Sequence, residues 1–326
     1  MGIDKNKELI HLIDVGARFG IHPAFDKIMN ACTTLLIDAD PEECTRLQHR
    51  YLDHPNVKIL NGFVGSTSQT NQDTENLYLY KHPGGNSKFK SNNKLPYWKN
   101  LRPDTNRIIG SVSVPLIDLD SCVKQNFGGC DILKIDCEGA ELEVLDGAKE
   151  TLQSAIGVRI EVMFNSLYNE VEETFTKVHH KLKEFDFFLL KYDLPKTNAY
   201  APYSKFRGVD NFGVLVGGDA LYIRNLDYLE KAPLEVRLKA AIFAATSNAC
   251  DLSIHLLSTL SQDFGSVDRE NSKLSQLWSV MERLIADYIF SNQDLAGQSL
   301  TEFAESWKNI LGTKPLDYGD YWNRYR

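Results

Sequence analysis

The chain has no C-x-x-C pair, no apolar run close to the roughly 20 residues that span a bilayer, and no phosphate-binding glycine signature. Each absence removes a class of function. The six cysteines, Cys32, Cys44, Cys122, Cys130, Cys137 and Cys250, are scattered, and several sit inside apolar runs. Free cysteine there behaves as a small hydrophobe, so a zinc site and a disulfide scaffold are disfavoured and a reducing compartment is expected. The opening Met1-Gly2-Ile3-Asp4-Lys5-Asn6 is charged and has no apolar h-region, and Asn6 stands where a myristoylation signal needs Ser or Thr. A cytoplasmic protein with no signal peptide and no membrane span is the expectation. An excess of positive charge is lacking too. The net charge of −8 opposes a phosphate backbone or an anionic membrane, so nucleic acid is not expected as a partner. Lys88, Lys90, Lys94 and Lys99 come nearest to a basic patch and read as a solvated loop. No serine triad, H-E-x-x-H or P-loop sequence competes for a catalytic role.

What remains is ordinary globular material. With 43% apolar and 25% charged residues over 326 positions, the chain can build one large α/β domain and a smaller appendage. Short β-branched runs alternate with helical patterns from about residue 9 to about 223, the mark of a parallel sheet with crossover helices. Strands are expected at 9–15, 33–38, 57–60, 111–116, 131–136, 158–164, 187–192 and 213–223. Helices are expected at 23–30, after Pro41, and at 119–126, 140–152 and 171–185. The last two strands, parted by a long loop, suit a closing antiparallel pair. Residues of about 66–110 break the alternation around the turn Pro83-Gly84-Gly85-Asn86. A loop that long in a compact domain is usually functional, and a lid or wall over an acceptor is the expectation. Beyond about 225 the strands stop, and 235–246, 251–261, 273–290 and 301–311 read as helices. The division expected is 1–224 for the α/β domain and 225–326 for a helical extension.

Three segments carry chemistry. In Ile13-Asp14-Val15-Gly16-Ala17-Arg18-Phe19-Gly20 a buried strand ends in an acid, and two glycines spaced by four lead into the next element. Gly16 lets a ligand approach the backbone, and Gly20 permits the tight turn. Arg18 occupies the middle position of a G-x-G-x-x-G fingerprint, the one that makes room for a pyrophosphate, so a ligand without a pyrophosphate is favoured. Second, Ile37-Asp38-Ala39-Asp40-Pro41 places acids at the end of the next strand, some twenty residues after the glycines. Asp38 there can accept ribose hydroxyls, while Asp40 caps the helix that Pro41 opens. The third and most specific segment is residues 131–148, where Asp136, Glu138 and Glu141 gather as a strand hands over to a helix. Ligands bind outside the carboxyl ends of strands in open α/β sheets, so Asp136 and Glu138 are expected to face the site, whereas Glu141 in a first helical turn is also simply stabilising.

These residues resemble the FkbM family of methyltransferases. Residues 131–148 match its D-x-x-K-I-D-x-E-G-x-E-x-x-x-L-x-G-A run position for position. Asp14 to Gly20 match its D-V-G-A-N-x-G with Arg18 in place of Asn, and Asp38-Ala39-Asp40-Pro41 stands for its E-P-x-P. The stretch from Val114 to Ser121 and Arg159-Ile160-Glu161 resemble its segment before the fourth strand and its strand-five acid. The resemblance covers about residues 9–223. It implies a Rossmann-like class I methyltransferase sheet and S-adenosylmethionine as cofactor. The cofactor set it points to is Asp14, Gly16, Ala17, Gly20, Asp38, Ala39, Asn61, Gly62 and Asp136. It also implies O-methylation of a hydroxyl, often on a sugar, a glycan or a natural-product intermediate. A sugar hydroxyl is a poor nucleophile and needs a base close by, and Asp136, Glu138 and Glu161 are the carboxylates placed there. His22 is a weaker candidate, and His179 and His180 read as solvated. Clustered acids can hold Mg²⁺, but no metal is assigned.

Two other readings stay open at this level: a nicotinamide-dependent oxidoreductase, disfavoured by Arg18, and a methyltransferase-like module without catalysis. The helical extension has apolar faces at Leu238, Ile242 and Ala245, and at Leu277, Val280, Met281 and Leu284. Those faces must be covered, either by shaping the acceptor pocket or through a homodimer.

Overall fold

A computed structural model describes residues 9–65, 73–98, 104–198, 214–264 and 272–291. The chain divides into two compact units, residues 1–225 and 226–326.

The first unit is built on β1 (Ile10–Val15), β2 (Cys32–Asp38), β3 (Val57–Asn61), β7 (Ile132–Ile135), β8 (Gly157–Met163), β9 (Phe187–Asn198) and β10 (Val214–Arg224). They lie in the order β3-β2-β1-β7-β8-β10-β9. The first five run parallel, and β10 runs antiparallel between β8 and β9. The class I methyltransferase sheet is therefore present, and the last two strands form the antiparallel closure expected of them. β2 and β8 are buried at every position, as strands covered on both faces must be. The chain crosses over through α1 (Pro41–Arg50), α2 (Leu119–Asn126), α3 (Glu141–Asp146), α4 (Lys149–Ser154) and α5 (Phe175–Glu184). One apolar core, including Leu35, Leu133, Val144, Ile160, Val178 and Tyr222, joins this sheet to its helices. Asp40 caps α1 by accepting from the Glu42 amide at 3.0 Å. At the opposite end of the sheet Arg224 gathers the carbonyls of Leu152 and Gln153 in the last turn of α4, of Ala155 just beyond it and of Phe185 just beyond α5.

Local elements differ from expectation in three places. Residues 23–30 form a 3-10 helix (Pro23–Ala31), opened by a proline after the His22 cap. The helix expected over 140–152 breaks into α3 and α4, because Gly147 ends α3 and α4 starts afresh after Ala148. The strand expected at 111–116 is longer, β6 (Ile108–Ile117), and belongs to a second sheet. Its exposure alternates along much of its length, where β2 and β8 of the main sheet are covered on both faces. It pairs antiparallel with β5 (Thr74–Tyr80) and parallel with the two-residue β4 (Phe63–Val64). Much of the stretch that breaks the alternation is thus a strand, a 3-10 turn (Pro83–Gly85) and the segment returning to β6.

The second unit holds α6 (Leu226–Leu229), α7 (Leu234–Thr246), α8 (Cys250–Phe264) and α9 (Ser272–Ser291). α7 packs on α8 and α9, and Ser253 of α8 donates to the Ala241 carbonyl at 2.9 Å. The helix expected at 301–311 lies outside the described residues. Among the described residues no helix is long and apolar enough to cross a membrane.

Candidate active site

A cavity of about 400 Å³ opens where β1, β2 and β7 end, inside the usual range for small-molecule sites. Its floor includes Gly16, Gly20, Asp38, Ala39, Gly62, Asp136 and Glu138. Gly16 sits at φ +76°, and a Cβ there would lie 1.8 Å from the Asp136 carbonyl oxygen, so only glycine fits between the two strand ends. Gly20 sits at φ +97°, and a Cβ there would lie 2.5 Å from the Tyr51 hydroxyl and 2.9 Å from the Arg50 guanidinium. The Gly16 and Ala17 amides both donate to the Ile37 carbonyl, at 2.9 and 3.0 Å, and so tie the glycine turn to β2.

Three residues expected to touch a cofactor lie behind this surface. Asp14 is wholly buried and does not line the cavity. Its carboxylate pairs with the Lys134 ammonium at 2.9 Å, and Lys134 in turn donates to the Gly16 carbonyl at 2.9 Å. Ala17 is likewise fully buried. Asn61 turns inward, donating to the Asp38 and Ala39 carbonyls at 3.1 Å each and shaping the turn on which Asp38 sits. All three support the floor. Lys134, the one charge in an otherwise apolar strand, was the sequence signal for that support.

Burial sets the electrostatics. It raises Asp14 to about 6, with Lys134 offsetting part of the rise. Burial alone would lower Lys134, but Asp14 and Asp136 outweigh it and keep its pKa above the usual range. Asp38 is pushed up to about 6 by burial, and the Arg18 guanidinium, 3.8 Å away, pulls against that. Arg18 also forms a close ion pair with Asp40 and lines the cavity. His22 lines it too; burial and then the Arg159 charge lower its pKa to about 4, so it is neutral near pH 7. His180 and His179 lie on α5, where His179 meets the Tyr222 hydroxyl at 3.3 Å.

The acids converge. Asp136, Glu138 and the buried Glu161 each bring a carboxylate oxygen within 4.8 Å of the other two, close enough to hold a cation. Glu138 adopts φ +50°, unusual for a residue with a side chain, and is held from both ends. The Tyr168 hydroxyl donates to its carboxylate, and its carbonyl accepts from the Ser87 hydroxyl at 2.8 Å. Glu141 takes no part in the cavity. Its carboxylate accepts the Cys137 and Gly139 amides, at 3.0 and 3.1 Å, and so sets the loop that carries Glu138. Desolvation raises it to about 7. Beside this cluster, Arg159 pairs with Asp219 at 2.7 Å and with Asp193 at 3.3 Å, and His22 lies 4.0 Å from Asp219. Asp193 and Asp219 escaped sequence reasoning because an acid inside a strand of a closing pair has no motif to mark it.

The wall comes from β5 and from residues between β5 and β6. Leu77, Pro83, Gly84, Asn86 and Ser87 line the same cavity. Asn86 donates to Asp40 at 3.1 Å, and Lys88 bridges Glu75 at 2.7 Å and Glu143 at 3.0 Å. The lysine read as solvated is therefore a tie between the wall and α3.

The sequence from residue 14 to 189 matches the family described as the methyltransferase FkbM domain. No curated protein matches. Solved structures that resemble the chain include precorrin-6y C5,15-methyltransferase of Geobacter metallireducens, at 10% identity over 67% of this chain and 82% of that one, with a TM-score of 0.30. The N-terminal domain of EvdMO1, solved in the presence of SAH and D-fucose, is 8% identical over 66% and 76%, with a TM-score of 0.34. TrmK of M. capricolum, in complex with S-adenosyl-homocysteine, is 8% identical over 84% and 89%, with a TM-score of 0.31. The match spans more than half of the 326 residues and contains the glycine turn, Asp38 and the acids at 136, 138 and 161, and by it the chain belongs to the FkbM methyltransferase family.

Proposed function

We propose that the chain is an S-adenosylmethionine-dependent O-methyltransferase acting on a hydroxyl of a sugar, a glycan or a natural-product intermediate. The observation that carries this reading is the meeting of Asp136, Glu138 and Glu161 beside a cavity floored by Gly16 and Asp38. The residues present suit the cofactor. The missing Cβ of Gly16 leaves a surface for its methionine portion, and Asp38 at the end of β2 suits its ribose hydroxyls. Gly20, Ala39, Gly62 and Asp136 complete the lining around it. Bound there, S-adenosylmethionine supplies an electrophilic methyl group on a sulfonium sulfur.

The protein's own share is alignment and proton handling. Glu138, fixed by Tyr168 and Ser87, accepts the hydroxyl proton of the acceptor. Asp136 and Glu161 orient that hydroxyl. Neutral His22 adds a polar contact without competing as a cation.

Calorimetry with S-adenosylhomocysteine and with NAD, followed by transfer of labelled methyl from S-adenosylmethionine to a cell extract, tests this. Binding of the first ligand alone is expected, with transfer that Glu138→Gln lowers at least a hundredfold. Saturable NAD binding, or full transfer by Glu138→Gln, overturns the reading.

A further inference from the structure

A second, smaller cavity of about 120 Å³ adjoins the first, and Gly84 and Glu138 line both. Its other lining residues are Tyr80, His82, Gly85, Tyr97, Trp98, Thr105, Asn106 and Leu167. At ~30 Å³ per water the space equals about four waters. That is well below the roughly 300 Å³ at which sites begin to enclose whole ligands. It suits one ring edge or face, with the remainder of a molecule outside.

Its chemistry is two-sided. Trp98 spends its indole N–H on the Leu167 carbonyl at 2.9 Å, and the Tyr80 hydroxyl donates to the Phe89 carbonyl at 2.9 Å while accepting the Ser91 amide at 2.9 Å. With those polar tips engaged, what the two residues offer a ligand is ring surface. Tyr97 is packed edge-on to Trp98, and Trp98 edge-on to Tyr168, so the ring wall is rigid. His82, Thr105 and Asn106 add polar groups, and Glu138 adds a formal charge. Among the described residues no Lys or Arg lines the space, and the carboxylate of Glu138 opposes a phosphate or carboxylate ligand beside it.

We propose that this cavity is the acceptor subsite: it takes a neutral ring with one apolar face and hydroxyls at its edge, the chemistry of a pyranoside, and delivers one hydroxyl to Glu138. The proposal rests on the methyltransferase reading above and gives it a place for the acceptor. Two features make Glu138 the gate between the cavities. It faces both of them, and its left-handed backbone is held in place by contacts from two other segments. The described residues from Tyr80 to Asn106 that line the cavity, and not the seven-stranded sheet, then select the acceptor.

Gly85 supplies the test, because a Cβ added there meets nothing within 4 Å and its backbone is not left-handed. Gly85 lines the cavity, so Gly85→Leu is expected to narrow the subsite without disturbing the fold. The full chain, saturated with S-adenosylhomocysteine, is examined by saturation-transfer NMR with methyl glucopyranoside, galactopyranoside, mannopyranoside and rhamnopyranoside. Choline and glycerol serve as probes of a cation cage and of hydroxyls alone. At least one pyranoside is expected to take up saturation, to weaken tenfold or more in Gly85→Leu and several-fold in Asn106→Ala, with S-adenosylhomocysteine affinity within threefold of wild type in both. Binding of choline alone, of no pyranoside, or of pyranosides equally well to Gly85→Leu overturns the subsite while leaving the cofactor site standing. Failure of wild type to bind S-adenosylhomocysteine overturns both readings together.

Discussion

The floor and the wall of the main cavity are held in different ways. The floor is made of strand ends: Gly16 and Ala17 hang from the Ile37 carbonyl, the Asp136 amide donates to Val15 at 3.0 Å, and Lys134 joins Asp14 to Gly16 from below. Every one of these contacts also belongs to the sheet or its core. The wall, from Pro83 to Lys88, is fastened to the floor by side-chain bonds such as Asn86 to Asp40, Ser87 to Glu138 and Lys88 to Glu143. Bonds of that kind contribute roughly 0.5–1.5 kcal/mol each and can be removed one at a time. The floor can only change with the fold, whereas the wall can change alone.

The sharpest way to break this contrast is Gly16→Ala. A methyl group 1.8 Å from the Asp136 carbonyl, on a left-handed backbone, should cost at least about 3 kcal/mol and abolish S-adenosylhomocysteine binding. Thermal unfolding and calorimetry on one preparation check this, and an unshifted Tm would place the floor's rigidity elsewhere. Next comes Asp38→Ala, expected to weaken S-adenosylhomocysteine by about 1–3 kcal/mol, or roughly five- to 150-fold, by leaving ribose hydroxyls unpaired. Asp38 carries a pH signature as well. Burial raises its pKa to about 6, so the carboxylate proposed to accept the ribose hydroxyls is present above pH 6 and lost as pH falls through it. Wild-type affinity should therefore fall several-fold from pH 7.5 to 5, and Asp38→Asn should flatten the profile; an equal slope in the variant would reassign the titration to Asp14, also at about 6.

A smaller effect is expected at the wall. Asn86→Ala removes the bond to Asp40 and should lower methyl transfer by about tenfold, with a stability change under about 1 kcal/mol and cofactor affinity within threefold. Steady-state kinetics beside calorimetry separate the two, and equal losses in both would make wall and floor one unit. The smallest effect is expected from EDTA. Lys134 stands 3.8 Å from Asp136 and already answers part of its charge, so chelation should change transfer less than twofold. Loss of transfer restored by Mg²⁺ would instead make the three acids a metal site.

The contrast also explains what could be read from the sequence. The floor was legible because its residues obey short-range rules: a glycine where backbones converge, an acid at a strand end, and a specific run at 131–148. Even there, the sequence could not separate Asp38, which faces the cavity, from Asp14 and Asn61, which hold it from behind. All three are the last or next-to-last residue of a strand, and the side chain's direction depends on packing. The wall was legible only as an interruption. Its strand β5 has mixed exposure and makes its partner of β6 across a gap of more than 25 residues, a long-range pairing that local pattern does not encode. The Tyr168 clamp on Glu138 was invisible for the same reason, since thirty residues separate the two.

Arg224 gives the first unit a finished edge. Its single guanidinium gathers carbonyls left over where α4 and α5 end, one residue before the boundary at 225. A domain closed in this way carries its own terminal seal and resembles a cassette. The carbonyls that Arg224 gathers all belong to the first unit. A fragment of residues 1–225 should fold and bind S-adenosylhomocysteine unaided, and the same fragment carrying Arg224→Ala should lose its cooperative unfolding transition.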